Sequence, residues 1–210
     1  MTSDSVQPRS AQRPTHGPYG DWIVRGLILA LQLAISPLLA ACWLESSTTG
    51  GERAFMTFGE FLSLAPGPFG NLLRKAFYRA MLHECAYRSY ISFGTLFVTR
   101  NSAVGRDTFV GPYCVIGAAY LGNGVRLGSR VSVMAGRHQH GNSTQGIVDA
   151  PFSHSKPVTI REGSWIGEGA IVMADVGRSS IVGAGAVVVR PVPDNVTVVG
   201  NPAKMVTRQQ

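Results

Sequence analysis

Two closely spaced histidines are the residues of this sequence best suited to acid–base chemistry. His138 and His140 lie in Met134-Ala-Gly-Arg-His-Gln-His-Gly141, which opens a polar segment that also contains Asp149. An imidazole has an unperturbed pKa of about 6.5, so it can take the proton of an attacking hydroxyl group at neutral pH. A carboxylate such as Asp149 or Glu84 could orient the ring. No cysteine or serine stands in a nucleophile setting, which disfavours a covalent enzyme intermediate.

The segments on both sides of this polar stretch repeat every six residues. The fourth residue after each aliphatic position is small or β-branched, and glycine often follows the aliphatic residue directly. The aliphatic positions are Val98, Val104, Val110, Ile116, Leu121, Leu127, Val133, Ile160, Ile166, Val172, Val176, Val182 and Val188. The small or β-branched positions are Ser102, Thr108, Cys114, Val125, Val131, Ser164, Ala170 and Ala186. A fixed short period indicates units that bury their apolar faces only by stacking on one another.

The period of six predicts a three-sided β-solenoid. Side chains alternate along a strand, so the aliphatic residue and the residue four places later can both point inward. Glycine between them accepts the backbone angles of a turn. Three flat runs of six residues make one triangular coil, and stacked coils form parallel ladders around an aliphatic core. A loop leaving such a scaffold at a corner, as the histidine segment would, is a usual place for functional residues.

The second block of repeats resembles a known family. Residues 163–177 read Gly-Ser-Trp-Ile-Gly-Glu-Gly-Ala-Ile-Val-Met-Ala-Asp-Val-Gly, and Ile181-Val-Gly-Ala-Gly-Ala-Val-Val188 and Val199-Gly-Asn-Pro-Ala-Lys204 follow. This combination is similar to the hexapeptide-repeat acetyltransferases, over residues 90–206. The resemblance implies a mainly β protein with a left-handed parallel β-helix. It also implies a homotrimer with active sites between subunits, acetyl-CoA as acyl donor, and no metal.

The resemblance also assigns roles to individual residues. The family's catalytic base ends the short glycine-containing run that leaves the coil, which matches His138; His140 and Asp149 are candidates for an assisting role. Glu168 departs from the family, which has a small residue there, and Val189-Arg190 replaces a Thr-Lys pair, so Arg190 keeps only the cation. The positions that match cofactor contacts are Trp165, Gly167, Glu168, Ala184, Arg190 and Lys204.

Two further features bear on the acceptor. The galactoside and maltose enzymes of the family carry an aspartate just before the coil that leads to the catalytic histidine, and here that stretch is shortened to Ala118-Ala119-Tyr120. The segments 62–70 and 73–79 resemble the lead-in of exopolysaccharide-type acetyltransferases. We therefore expect a sugar hydroxyl of an exopolysaccharide, a lipopolysaccharide or a lipid-linked glycan precursor as the acceptor.

The sequence predicts a helical region before the solenoid. The expected segments are a disordered tail over 1–20, a hydrophobic membrane-associated helix and linker over 21–54, an amphipathic capping region over 55–90, the β-helix over 91–202 with a loop over 138–157, and a C-terminal tail over 203–210. Residues 26–44 carry no charge, and this length is close to that of a membrane-crossing helix. We therefore expect a cytoplasmic protein on the inner face of a bacterial membrane. Two alternatives are a helix packed on a neighbouring subunit and a lipoprotein lipobox at Leu39-Ala-Ala-Cys42.

A second helix is predicted from the spacing of its apolar residues. Phe69, Leu72, Leu73, Ala76, Phe77, Ala80 and Met81 recur at helical intervals. The basic residues Arg74, Lys75 and Arg79 are expected on its other face. Such a helix suits a membrane surface, or it could cover the open end of the solenoid.

Composition limits the other classes of function. The net charge is +7 and the pI is about 9.8, yet charged residues are 15% of the chain and no basic run exceeds two residues, so nucleic acid is not an expected partner. The three cysteines show neither disulfide nor zinc-site spacing. Two rival functions remain: a zinc-dependent hydratase of the γ-carbonic anhydrase type, with His83 or His154 joining His138 and His140, and a non-catalytic membrane-associated scaffold.

Overall fold

The computed structural model describes residues 18–135 and 156–206, with side chains from Trp22 onward. Four helices come first: α1 (Pro18–Ala34), α2 (Ser36–Thr49), α3 (Arg53–Ser63) and α4 (Gly67–Met81). Short strands follow: β1 (Glu84–Cys85), β2 (Tyr90–Ile91), β3 (Leu96–Phe97), β4 (Ala103–Val104), β5 (Phe109–Val110), β6 (Val115–Ile116), β7 (Ala119–Leu121), β8 (Arg126–Leu127), β9 (Ser132–Val133), β10 (Val158–Ile160), β11 (Trp165–Ile166), β12 (Ile171–Val172), β13 (Ile181–Val182), β14 (Val187–Val188), β15 (Thr197–Val199) and β16 (Lys204–Met205).

The strands form a three-sided solenoid of about five turns. Sheet A contains β1, β4, β7 and β10, and sheet C contains β3, β6, β9, β12 and β14. Sheet B contains β2, β5, β8, β11, β13 and β15, with β16 antiparallel on its edge. The other pairings are parallel, and the chain passes through the faces in the order A, B, C. The predicted parallel solenoid with an N-terminal helical region is confirmed, although the first paired strand begins at Glu84, before the predicted boundary at 91.

In each flat run, the side chains at the two predicted positions point into the core. Aliphatic residues of successive coils stack in columns, such as Ile91, Val110, Leu127, Ile166 and Val182 on sheet B, and all are buried. The eight small or β-branched positions are also buried. One aliphatic position differs from the prediction: Phe97, not Val98, faces the core, because seven residues instead of six separate it from Val104.

The small inward residues are often polar because their hydroxyl groups form hydrogen bonds between neighbouring coils. The Thr95 hydroxyl donates to the Gly111 carbonyl one coil further on at 2.6 Å, and Thr108 and Ser164 repeat the pattern on Gly122 and Gly177. A buried hydroxyl without a partner would destabilise the core, so these bonds explain why Ser and Thr are tolerated there. Cys114 occupies the same position, with Sγ 3.1 Å from the Gly128 carbonyl, and burial raises its pKa to about 11.

Helix α4 lies between the other helices and the first coil, and Arg74 joins them. Its guanidinium is buried and donates to the carbonyls of Leu62, Ser63 and Ala65 at the end of α3, and to Ile91 of β2. The last carbonyls of a helix have no intrahelical partner and carry partial negative charge, so a cation is stabilising there. The expectation that Arg74 and Lys75 lie on an outer face is wrong; both are buried, and α4 covers the open end of the solenoid.

The apolar N-terminal stretch forms two helices with a bend at Ile35. Among the described residues, no single helix is long and apolar enough to cross a membrane, whereas Trp22–Ala34 and Ser36–Thr49 pass that test as a pair bent by 66°. Helix α2 runs through the Leu39–Cys42 segment, and the Cys42 side chain is buried. Residues 1–17 of the tail predicted over 1–20 lie outside the described residues, whereas residues 18–20 are helical and begin α1.

Candidate active site

The predicted catalytic residues lie outside the described part of the chain. His138, His140 and Asp149 all fall within residues 136–155, as does His154. The described residues that flank this segment are Ala135, just after β9, and Lys156, just before β10. The segment therefore leaves the solenoid at the corner where sheet C passes to sheet A.

Trp165 stands on another face. It is the first residue of β11, and its indole points out of sheet B with 54% of its surface exposed. It lines an open groove of about 500 Å³. The other residues that line the groove are Asp107, Phe109, Arg126, Leu127 and Gly128. The groove combines an aromatic surface with one acidic and one basic side chain, which suits a polar ligand that also has apolar faces.

Three further predicted cofactor residues lie at the corner between sheets B and C. A Cβ atom on Gly167 would lie 2.4 Å from the backbone nitrogen of Ala184, so this position requires glycine for the two coils to stack. The Glu168 carboxylate forms an exposed ion pair with Arg130 at 2.5 Å. Because β11 pairs directly with β13, the structure brings Trp165, Gly167, Glu168 and Ala184 to neighbouring coils at one edge of the solenoid.

The same corner presents backbone that no side chain covers. Gly169 and Gly185 follow Glu168 and Ala184 on the two coils, and the Gly185 N–H donates to the Glu168 carbonyl. Both glycines have a positive φ, and no heavy atom lies within 4 Å of the position that a Cβ would take. An extended chain with amide groups could approach the protein backbone closely along this edge.

The remaining two predicted cofactor residues are separated from each other. Lys204 lies in β16, paired with Val199 at the edge of sheet B, and Val199 packs over Gly183 on the next coil. Lys204 therefore lies on the same side of the solenoid as Trp165. Arg190 follows β14 at the corner between sheets C and A, and is exposed. The structure thus groups Lys204 with the Trp165 edge and places Arg190 on a different corner.

Sequence reasoning missed the residues that share the groove with Trp165. Phe109 and Arg126 each stand one position before an inward aliphatic residue, as Trp165 does. Tyr90 has the same place on the first coil, and its ring stacks on Phe109 with centroids 5.4 Å apart. Because side chains alternate along a strand, the residue before each aliphatic position must point outward. That rule, applied coil by coil, would have identified this row of residues.

Two other predictions can be compared with the described residues. In residues 22–135 and 156–206, no three His, Cys, Asp or Glu side chains come together as metal ligands. The shortened stretch before the loop is visible as a step of five residues from Ile116 to Leu121. There, the Tyr120 hydroxyl donates to Asn101 Oδ1 at 3.1 Å, while Ala118 and Ala119 are buried.

Acetyltransferases share sequence with this chain over part of their length. A galactoside O-acetyltransferase from Lactococcus lactis is 34% identical over 122 residues, which cover 57% of this chain and 53% of that protein. A serine acetyltransferase from Buchnera aphidicola is 36% identical over 101 residues, 43% of this chain and 37% of that protein. No protein-family model matches the chain. The chain thus spans about a third to a half of the length of these relatives.

Solved structures share the fold over a larger part of the chain. A maltose O-acetyltransferase from Clostridium difficile superposes with a TM-score of 0.53 and 19% identity, covering 76% of this chain and 87% of that one. A hexapeptide-repeat-containing acetyltransferase from Vibrio cholerae, complexed with acetyl coenzyme A, has a TM-score of 0.50 and 16% identity, covering 79% and 92%. The chain therefore shares sequence with acetyltransferases and shares the fold of hexapeptide-repeat acetyltransferases. This confirms the resemblance predicted from the sequence, and the solenoid edge described above belongs to that fold.

Proposed function

We propose that this relative of the hexapeptide-repeat acetyltransferases is an O-acetyltransferase that moves an acetyl group from acetyl-CoA to a sugar hydroxyl. The acceptor is a sugar unit of an exopolysaccharide, a lipopolysaccharide or a lipid-linked glycan precursor. The observation that carries the proposal is the edge formed by Trp165, Gly167, Glu168 and Ala184, which has open backbone at Gly169 and Gly185. Its support is the sequence shared with acetyltransferases.

The proposed reaction is a direct transfer within a complex of both substrates. His138 takes the proton of the acceptor hydroxyl as the oxygen attacks the thioester carbonyl carbon. The carbon–sulfur bond then breaks, and the CoA thiolate leaves and receives the proton from the imidazolium. Backbone N–H groups of the coil edge would stabilise the negative oxygen of the tetrahedral intermediate. The open backbone beside Glu168 and Ala184 is where the extended pantetheine arm would lie.

The positions of these groups favour a site shared between copies of the chain. Ala135 and Lys156, which flank the segment with His138, lie at the corner of sheets C and A. Trp165 and Glu168 lie on sheet B and its corner with sheet C, across the solenoid from that corner. In a cyclic trimer, the loop corner of one copy can face sheet B of the next. We therefore propose a homotrimer in which one copy supplies His138 and its neighbour supplies the Trp165 edge.

Release of CoA thiol tests the reaction. The full chain is incubated with acetyl-CoA and one acceptor at a time. The acceptors are oligosaccharides of bacterial surface glycans, a galactoside, maltose and serine. We expect turnover with the glycans, and His138→Ala should lower kcat by about 10²- to 10⁴-fold. The matched control is His83→Ala, since His83 is exposed and stands edge-on to Tyr120. Turnover with serine alone would contradict the sugar acceptor, and stoichiometric bound zinc with CO₂ hydration would favour the hydratase.

The shared site has a separate test by subunit mixing. His138→Ala and Trp165→Ala are each expected to be inactive, because each lacks one half of every site. Trimers reassembled from an equal mixture should recover about a quarter of the sites, since only one pairing in four joins an intact histidine to an intact tryptophan. No recovery from mixed trimers that bind acetyl-CoA would contradict a site between copies. Loss of acetyl groups, each about 42 Da, from surface glycans of cells carrying His138→Ala would extend the result in vivo.

A further inference from the structure

We propose that the bent pair α1–α2 is embedded in one leaflet of a lipid bilayer, with its exposed apolar side in contact with acyl chains. The exposed side of α1–α2 is separate from the groove beside Trp165, and its contact with lipid does not depend on the proposed reaction.

Over residues 26–34, helix α1 is apolar on all sides apart from Gln32, but the protein buries only one stripe of it. Val24, Ile28, Leu31 and Ile35 recur at intervals of four, three and four, and face the rest of the protein. The opposite side is also apolar and stands open: Leu27, Leu29 and Leu33 are exposed, Leu33 to 77%. A helix that is hydrophobic all round belongs in an apolar environment, and here the protein supplies that environment for less than half of the circumference.

Three polar side chains on these two helices contact the rest of the protein. The Gln32 amide donates to the Ala76 carbonyl of α4, and the Glu45 carboxylate accepts from the Ala54 N–H. Arg25 lies over the ring of Tyr87. Within residues 26–44, all of which the structure describes, Ser36 at the bend is the one exposed residue with a hydroxyl, amide or charged side chain. Polar groups inside and apolar groups outside are the reverse of a water-facing surface, and large exposed apolar patches mark interaction sites.

Lipid fits this surface better than a second copy of the chain. Trp22 and Trp43 stand near the two ends of the uncharged run, exposed to 65% and 62%. Tryptophan is the side chain that membrane proteins place at the lipid–water boundary. Arg25 directly precedes the run, and the net charge of +7 favours anionic lipid.

The dimensions fit one leaflet. The apolar arms Trp22–Ala34 and Ser36–Thr49 have 13 and 14 residues, a length typical of re-entrant or interfacial segments and too short to cross a bilayer alone. With a bend of 66°, the second arm returns to the surface where the first one enters when both arms lie at shallow angles to the membrane plane, and we place them so. In this placement, the pair enters and leaves on the same side, and both tryptophans lie at that side.

Fluorescence of the three tryptophans provides a direct test with an internal control. Trp165 is exposed to a similar extent, 54%, but lies on the solenoid. Full-length Trp165→Phe, which keeps Trp22 and Trp43, is mixed with vesicles of phosphatidylcholine and phosphatidylglycerol that contain brominated lipid. We expect strong quenching and a blue shift, whereas Trp22→Phe/Trp43→Phe, which keeps only Trp165, should be unaffected. Equal quenching of both proteins, or of neither, would overturn the proposal.

Vesicle flotation distinguishes insertion from surface adsorption and from self-association. Leu29→Glu/Leu33→Glu should reduce the bound fraction about tenfold or more, because it places two charges in hydrocarbon. The control Met205→Glu, at a similarly exposed apolar residue of the solenoid, should bind as the wild type does. Binding that needs phosphatidylglycerol and disappears in high salt would show adsorption by basic residues and overturn insertion. Lipid-free light scattering that shows a larger assembly, lost in the Leu29→Glu/Leu33→Glu protein, would show that a second copy covers this face and would also overturn it.

Discussion

The helical region and the solenoid solve the same packing problem in opposite ways. The solenoid directs aliphatic side chains inward at fixed positions, and its buried polar side chains are short hydroxyls, several of which bond to the next coil. The helical region buries long polar side chains, Arg74, Asn71 and Lys75, while Leu33 and Trp43 lie outside. Each solenoid coil finds its packing and hydrogen-bond partners in the neighbouring coils of the same repeat. The helices depend on partners elsewhere: carbonyls of the first coil and, as we propose, lipid.

This difference shows what each region contributes. Stacked coils give a rigid edge on which backbone positions are fixed by glycine contacts such as Gly167 on Ala184. The helices cover the open end of that stack and, in our proposal, hold it at a membrane. The same substitution should therefore have opposite consequences in the two regions, which makes the comparison testable.

Leucine truncation should show the largest difference. Leu127 is buried on sheet B in the core of the solenoid, and Leu127→Ala leaves a cavity between coils. We expect a loss of about 2–5 kcal/mol in the free energy of unfolding. Leu33→Ala, on the exposed side of α1, should change it by less than about 0.5 kcal/mol in water. Urea unfolding of both variants in lipid-free buffer measures the contrast, and equal losses would mean that Leu33 is buried in solution.

Arginine truncation should reduce stability more in the helical region than in the solenoid. Arg74→Met removes the donor of the Ala65 carbonyl and one of two donors to the carbonyls of Leu62, Ser63 and Ile91, and we expect a loss of about 2–3 kcal/mol. The matched variant in the solenoid is Arg88→Met, which removes an exposed ion pair with Asp107 at 3.0 Å. Such pairs contribute less than about 1 kcal/mol and are screened by salt. Comparable losses from both variants, measured by urea unfolding, would show that Arg74 does not join α4 to α3 and the first coil.

Glycine substitution gives a smaller contrast, with opposite signs. Gly167→Ala would place Cβ 2.4 Å from the Ala184 nitrogen and 2.7 Å from the Gly183 carbonyl carbon, so two coils must separate. We expect a loss of about 1–3 kcal/mol. Gly26→Ala in α1 meets no atom within 4 Å and should gain about 0.5–1 kcal/mol from helix propensity. If Gly167→Ala proves neutral, the coils at this edge are less tightly stacked than described.

The solenoid was predictable from sequence because the residues that define each coil lie within a few positions of one another. Each coil buries the same two positions, so the period alone identifies Leu127 or Ser164 as inward. Phe97 was missed because one inserted residue shifts the register where the first coil meets the second. The orientation of Arg74 was not predictable, since its partners at Leu62 and Ile91 are distant in sequence and become neighbours only through the fold. Of the candidate site, the Trp165 edge follows from motif and register, whereas His138 stays a prediction from the sequence.

The smallest expected effect is a pH dependence confined to the helical region. Burial lowers the pKa of the Lys75 amine below its usual value, with Cys85 as a weaker opposing influence. The unfolded chain therefore binds this proton more tightly than the folded one, so the lysine's contribution to stability increases as pH rises from its folded pKa toward its unfolded pKa. Lys75→Met removes the desolvation cost and should gain about 0.5–1 kcal/mol at pH 7.

Stability curves of Lys75→Met and wild type by urea unfolding between about pH 7 and 10 isolate this residue. Buried Cys42 and Cys114 have raised pKa values and lose stability in the same range, but they do so in both proteins and cancel in the difference. Cys85 interacts with Lys75, so both curves are measured in a Cys85→Ala background. The advantage of Lys75→Met should therefore shrink steadily as pH rises. An advantage independent of pH would mean that the gain comes from packing of the methionine and not from the buried charge. In that case, the helical region would tolerate the buried cation of Lys75 without carbonyls such as those that surround Arg74.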